Sequence, residues 1–327
     1  MTSSNPLVRI QNLDVSYYTD GSPAQALHNI DMDIQSGERV GLVGESGCGK
    51  STLLKIIMGV LPPNGKATRG QILLDNNNLF DMSDEARRKT RWAEISMITQ
   101  SALNALNPVQ RIDAQIIEAI QTHQKITKQQ DTEKLVDLFQ MVGVDPARAR
   151  DYPHQFSGGM RQRAMIAMAM SCNPKVLIAD EPTTALDVTI QAQIFNLMIK
   201  LKQEHNTAIM LITHDMGVIA ELADEVAVMY MGNIVEAGTV DDVLRRPQHP
   251  YTRALLDSIP VLGRGKDQDI KSIRGATPDP YERPVGCQFA PRCDFATDVC
   301  NVLPTEEHIS DSHRVMCTRY KEIFENA

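Results

Sequence analysis

The residues with the clearest chemical purpose are Gly44-Glu45-Ser46-Gly47-Cys48-Gly49-Lys50-Ser51, which satisfy the spacing G-x-x-x-x-G-K-[ST]. The glycines let backbone N–H groups turn toward an anion, Lys50 offers a point charge to β- and γ-phosphate oxygens, and the Ser51 hydroxyl suits Mg2+. Cys48 is either a small packing residue or a thiol whose pKa is lowered by Lys50 and the adjoining helix N-terminus. A phosphate cradle also needs a metal anchor and a base. Asp180 and Glu181 end an apolar run, where one acid can hold Mg2+ through its water shell and the other can take a proton from attacking water. His214 ends the next apolar run and is placed to contact a γ-phosphate. Ser157-Gly158-Gly159 opens another helix with a good N-cap and a glycine entrance, a second end built for an anion. Finally, four of the six cysteines (Cys287, Cys293, Cys300, Cys317) fall in the last 41 residues, spaced C-x5-C-x6-C-x16-C. A reducing compartment disfavours disulfides there, and the spacing by itself leaves structural zinc and an iron–sulfur cluster open.

These groups need strands and helices to present them. The run 39–43 is strand-like, and 51–58 has the apolar spacing of a buried helix, so the glycine loop sits in a strand–loop–helix context. Short apolar runs at 176–179 and 208–212 predict central parallel strands that end at Asp180-Glu181 and at Thr213-His214-Asp215. Strand patterns at 7–10, 13–17 and 30–34 open the chain, with a turn at 20–23, and helical patterns cover 114–142 and 160–171. Buried strands alternating with helices predict an α/β sheet with its chemistry at strand carboxyl ends. Near Pro260 the composition shifts, and Gly263-Arg264-Gly265-Lys266 reads as a linker into a loop-rich tail.

At 327 residues the chain exceeds the size at which one core usually stops growing, so two lobes or a domain with an appendage are expected. Its 42% hydrophobic and 23% charged residues exclude disordered, collagen-like and coiled-coil classes. A net charge of −8 argues against nucleic-acid binding through bulk electrostatics. The N-terminus has neither basic start nor apolar run, so the chain is expected to stay in the cytosol. The longest uncharged run, 95–110, carries Ser, Thr, Asn, Gln and Pro, so membrane work is expected to go through a partner.

Two phosphate-binding helix ends in one chain carry a specific resemblance. The order Tyr17, 44–51, Gln100, Phe156-Ser157-Gly158-Gly159-Met160, Val176 to Glu181, Thr183-Thr184-Ala185-Leu186-Asp187 and His214 resembles the nucleotide-binding subunit of an ABC transporter. The resemblance implies a P-loop NTPase fold: a RecA-like core, an antiparallel β subdomain and a helical signature subdomain at about 104–160, within a nucleotide-binding domain spanning 1–260. It implies two subunits sandwiching two ATP, the signature of one closing over ATP on the other. By the same resemblance Tyr17 would stack on adenine, a role adjacent Tyr18 could also fill. Residues 44–51 with Thr52 would bind the phosphates, Ser51, Gln100 and Asp180 would hold Mg2+, and Glu181 would polarise water. His214 would contact the γ-phosphate, Gln100 would link Mg2+ to the membrane partner, and Asp187 would lie at the dimer interface.

Three further segments are similar to the oligopeptide and dipeptide importer group: Ser101 to Pro108 after Gln100, His249-Pro250-Tyr251-Thr252-Arg253-Ala254-Leu255-Leu256, and the cysteine tail, taken as a domain at 261–327. That resemblance implies a 4Fe-4S cluster on the four tail cysteines, with zinc the alternative. It also implies peptide import powered from the cytoplasmic face of the bacterial inner membrane. The partners would be an identical or paralogous ATPase subunit, two transmembrane permease subunits and an extracytoplasmic solute-binding protein, with no nucleic acid. Nickel, opine, sugar and antimicrobial-peptide cargoes occur in the same group. A soluble ABC protein acting on DNA or ribosomes would need a coiled-coil insertion or a second cassette, and a non-hydrolysing subunit would lack the glutamate, signature or histidine.

Overall fold

The structure is a computed structural model that describes residues 5–19, 22–100, 105–184, 186–258 and 272–325. Residues 20–21 of the turn expected at 20–23, residues 101–104 of the segment after Gln100, Ala185, and residues 259–271 with the linker expected at 263–266 lie outside the described residues.

In chain order the main elements are β1 (Val8–Tyr17), β2 (Ala24–Ile34), β3 (Arg39–Val43), α1 (Lys50–Ile57), β4 (Gly65–Leu74), β5 (Asn77–Asn78), α2 (Asp84–Ala93), β6 (Ile95–Ile98), α3 (Ile112–His123) and α4 (Lys128–Met141). Then follow α5 (Gly158–Met170), β7 (Val176–Asp180), α6 (Val188–His205), β8 (Ala208–Ile212), α7 (Met216–Leu222), β9 (Glu225–Tyr230), β10 (Asn233–Thr239), α8 (Val240–Arg245), α9 (Pro250–Asp257), β11 (Glu307–His308) and β12 (Arg314–Val315). The chain forms two compact units, one of residues 1–7, 34–39 and 81–212, the other of 8–33, 40–80 and 213–327.

In the first unit β6, β7 and β8 run parallel, with Ile95 opposite Val176 and Val176 opposite Ala208. Leu177, Ile178 and Ala179 are fully buried, which is why this strand reads as an unbroken apolar run rather than an alternation. Helices α3, α4 and α5 pack on one another. Ile112, Ile116 and Ile120, one turn apart, form the fully buried stripe of α3. The helical pattern at 114–142 is two helices, not one. Thr127 restarts the chain with a capping box: its side chain accepts the Gln130 N–H while Gln130 accepts the Thr127 N–H.

In the second unit β2, β1, β4 and β5 form an antiparallel sheet. The two strand runs read at 7–10 and 13–17 are one strand, β1, which a register shift between Gln11 and Val15 bends against β4, with Asn12 at a φ of 47°. Strand β3 pairs parallel with β9, β9 antiparallel with β10, and β12 adds to β10 through Glu236 opposite Val315. Around these two-residue strands, residues 272–325 form short turns such as Ala290–Arg292 and Asp298–Asn301.

Candidate nucleotide site

Within the second unit, the glycine loop runs from the end of β3 into the first turn of α1, as its spacing requires. Gly44 has a φ of 150°, and a Cβ there would lie 2.2 Å from the Met229 carbonyl oxygen, so no side chain fits. Gly49 has a φ of 112°, with the Ala26 carbonyl 2.8 Å from where its Cβ would be. Gly47 faces open space, and Ser46 and Ser51 are exposed, so the loop is accessible to a ligand. The Lys50 ammonium folds onto its own loop, donating to Gly44 O at 2.5 Å, Glu45 O at 3.0 Å and Cys48 Sγ at 3.5 Å. The backbone carbonyls thus hold the cation on the loop itself.

Cys48 is buried at 1% exposure. Burial pushes its thiol pKa up, more than Lys50 pulls it down, which corrects the idea of an activated thiol and leaves the packing role. The Tyr17 hydroxyl lies 3.3 Å from the buried Thr52 Oγ1, while Tyr18 is exposed with Lys66 over its ring. His214 is exposed, just before Asp215, which caps α7 by accepting from the N–H groups of Gly217 and Val218.

In the first unit, Glu181 follows β7 with a φ of 45°, a left-handed conformation rare for a glutamate, fixed by its own N–H donating to Ile212 O at 2.8 Å. Its Oε2 accepts from Gln100 Nε2 at 2.7 Å and from the Thr184 hydroxyl at 3.0 Å. The structure therefore brings together Gln100 and Glu181, which lie 81 residues apart in sequence. Asp180 is half-buried at the end of β7. Ser157 caps α5 by accepting the Met160 N–H at 3.3 Å. Gly158 is exposed, whereas a Cβ on Gly159 would lie 2.7 Å from Ile190 Cγ2, so that glycine serves close packing against α6. Asp187 is exposed and accepts the Ile190 N–H at 2.9 Å at the start of α6.

Several partners escaped sequence reasoning. Thr184 on Glu181 is one. Tyr251 is another: its hydroxyl accepts the Glu45 N–H at 2.9 Å across 206 positions. No spacing rule connects such distant residues, although Tyr251 lies in the segment 249–256 already singled out.

The expectation of a tail metal site is corrected. Among the described residues no group of three or more His, Cys, Asp or Glu side chains could hold a metal ion, so neither a 4Fe-4S cluster nor zinc at Cys287, Cys293, Cys300 and Cys317 is supported. All four are free thiols. Burial, reinforced by the neighbouring cysteines, pushes the thiols of Cys287 and Cys293 up and that of Cys317 up to about 12. The segment is instead tied by backbone and side-chain bonds, such as Cys287 N–H to Cys300 O at 2.9 Å and His313 Nε2 to the buried Glu236 carboxylate at 2.9 Å.

Comparison with known proteins adds identity to this geometry. The ABC transporter family model matches residues 27–184, and that of the oligopeptide/dipeptide transporter C-terminal region matches 235–300. The oligopeptide transport ATP-binding protein AppD of Bacillus subtilis is 48% identical over 97% of this chain and 97% of its own length. The dipeptide transport ATP-binding protein DppD of the same organism is 47% identical over 95% of this chain and 94% of its own length. Among solved structures, the dimeric post-hydrolysis state of the ATP-binding cassette MJ0796 bound to ADP and Pi aligns with a TM-score of 0.64 at 27% identity, covering 71% of this chain and 98% of that one.

Proposed function

The chain belongs to the ABC transporter ATP-binding subunits of the oligopeptide/dipeptide group, and from that premise we propose that it binds and hydrolyses ATP to power peptide import across a bacterial inner membrane. The observation that carries the ATPase half is the accessible loop 44–51, with Lys50 held over its carbonyls at the start of α1. The likeness to AppD, an oligopeptide transport ATP-binding protein, and DppD, a dipeptide transport ATP-binding protein, supports the peptide half.

In this reading Lys50 leaves its loop carbonyls for the β- and γ-phosphates, and the N–H groups of the loop bind the oxygens between them. Tyr17 lies against adenine. Ser51, Gln100 and Asp180 would hold Mg2+, and the donor chemistry fits: hydroxyl, amide and carboxylate oxygens are the hard ligands that Mg2+ takes, and Gln100 spends its nitrogen on Glu181, leaving Oε1 as the donor. Bound there, the ion would neutralise charge on the β- and γ-phosphates. Glu181, oriented by Gln100 and Thr184, accepts the proton of the attacking water. His214 donates to the γ-phosphate oxygens. The Ser157-Gly158-Gly159 end binds the γ-phosphate of ATP held by the opposing subunit, with Asp187 at that interface. The products are ADP and phosphate, and their release reopens the pair.

The domain division that follows is 1–260 for nucleotide chemistry, with a helical subdomain at about 104–160, and 261–327 as an appendage. No helix among the described residues is long and apolar enough to cross a membrane. By its likeness to the peptide-transport ATP-binding subunits AppD and DppD, we place the chain peripherally at the cytoplasmic face, working with a second ATPase subunit, two permease subunits and a solute-binding protein. The test is reconstitution with those permeases: peptide-stimulated phosphate release and peptide uptake are expected. Uptake of nickel, an opine or a sugar in place of peptide would overturn the cargo assignment.

A further inference from the structure

Glu45 is the only charged acid in the phosphate loop, and an unpaired carboxylate there would repel the phosphates the loop is built to bind. It is not unpaired. Arg292, 247 residues away in the turn Ala290–Arg292, meets it with a two-pronged contact, Nη1 to Oε2 at 2.6 Å and Nη2 to Oε1 at 3.0 Å. The Arg292 side chain is 4% exposed. The guanidinium is itself fixed from the tail, with Nε donating to Arg274 O at 2.9 Å and Nη2 reaching Gly275 O at 3.4 Å. It also sits over the Tyr230 ring at 5.8 Å from the centroid. Glu45 is thus gripped at both ends, its N–H by Tyr251 and its carboxylate by Arg292. Its carbonyl is one of the two that hold the Lys50 ammonium.

We propose that Arg292 is a positioning residue for the phosphate loop: it cancels the charge of Glu45 and fixes the backbone that aims Lys50, so that the C-terminal segment sets the affinity for MgATP. This rests on the reading of 44–51 as the ATP site. The guanidinium is held both by the tail carbonyls of Arg274 and Gly275 and by Glu45, so it ties residues 274–292 to the loop.

The test is calorimetric titration of the full chain with MgATP, with thermal melts to verify folding. Arg292→Ala is expected to weaken binding by about tenfold or more, since it leaves the half-buried Glu45 carboxylate without its guanidinium beside the phosphates. Adding Glu45→Gln to that variant should recover most of the loss by removing the repelling charge, a rescue that a merely structural role for Arg292 would not produce. Arg292→Lys keeps the charge without the planar fork and should fall between wild type and Arg292→Ala; it carries the test if the alanine variant does not fold. Binding by folded Arg292→Ala, or failing that by Arg292→Lys, within about twofold of wild type overturns the inference, as does a loss that Glu45→Gln leaves unrelieved. Lys50→Ala separates the two readings. If it still binds MgATP like wild type, the assignment of the ATP site fails and the inference with it; if binding is lost there yet untouched in Arg292→Ala, only the inference fails.

Discussion

In the proposed mechanism the chemistry depends on the orientation of one carboxylate, that of Glu181. Its backbone occupies a left-handed conformation that costs on the order of 1–3 kcal/mol for a residue with a Cβ, and that cost is offset by fixed contacts from Ile212, Gln100 and Thr184. Loss of the Thr184 hydroxyl should remove one of the contacts that orient the carboxylate, leaving Gln100 in place. Thr184→Ala is accordingly expected to lower kcat by about tenfold with KM for ATP little changed, whereas a rise in KM at constant kcat would move Thr184 from orientation to binding. Cys48 behaves in the opposite way from a reactive thiol. With burial raising its pKa, alkylation by iodoacetamide at neutral pH should be slower than that of a free cysteine, with or without ATP. Rapid ATP-sensitive labelling of Cys48 would contradict the packing role.

At the scale of elements, the caps at helix starts decide where functional segments begin. Helix α9 opens with His249, whose Nδ1 accepts the Tyr251 N–H at 3.0 Å, and Tyr251 then reaches the phosphate loop. Burial holds the His249 pKa down to about 3 against an ordinary 6.5, so as pH falls the unfolded chain takes the proton first. The stability given by neutral His249 is present above pH 6.5 and is lost as pH drops toward 3, at up to about 1.4 kcal/mol per pH unit. Protonation would also turn the accepting nitrogen into a donor and break the cap. Thermal melts between pH 6.5 and 4 should therefore fall more steeply for wild type than for His249→Asn, which keeps an acceptor but does not titrate; parallel curves would contradict this. The Thr127 capping box gives a second check. Thr127→Ala should cost about 1 kcal/mol in denaturant unfolding, and no change in midpoint would mean that α4 does not depend on its box.

The same elements explain what could be read in the sequence. Strands β3, β7 and β8 were legible because burial on both faces leaves unbroken apolar runs, helix α1 because its apolar residues recur at helical spacing, and the glycine loop because its backbone tolerates no side chain at Gly44. The split of 114–142 was not read, although Thr127 and Gln130 stand at capping-box spacing, because apolar periodicity continues on both sides of the break. The Arg292 to Glu45 and Tyr251 to Glu45 contacts were invisible because nothing local joins residues more than 200 positions apart. The tail cysteines misled for the converse reason: clustered thiols in sequence resemble a ligand set, whereas no metal-holding group forms among the described residues.

For the whole molecule, the −8 charge says little about the site, because the groups proposed to bind the phosphates are backbone N–H donors and single cations. The residues with chemical purpose divide between the two compact units, 44–51 and His214 in one, Gln100, 157–159, Asp180 and Glu181 in the other. If two such chains close on ATP, blocking hydrolysis should trap the closed pair. Glu181→Gln with MgATP is expected to shift from monomer to dimer in light scattering and to return on ATP removal; a monomer at saturating MgATP would contradict the paired arrangement. The most direct measurement of the central claim is phosphate release by the reconstituted transporter carrying wild-type or Glu181→Gln subunits. The account predicts peptide-stimulated hydrolysis that falls by about 10²–10⁴-fold in the variant while MgATP still binds. Unchanged turnover in Glu181→Gln would contradict it.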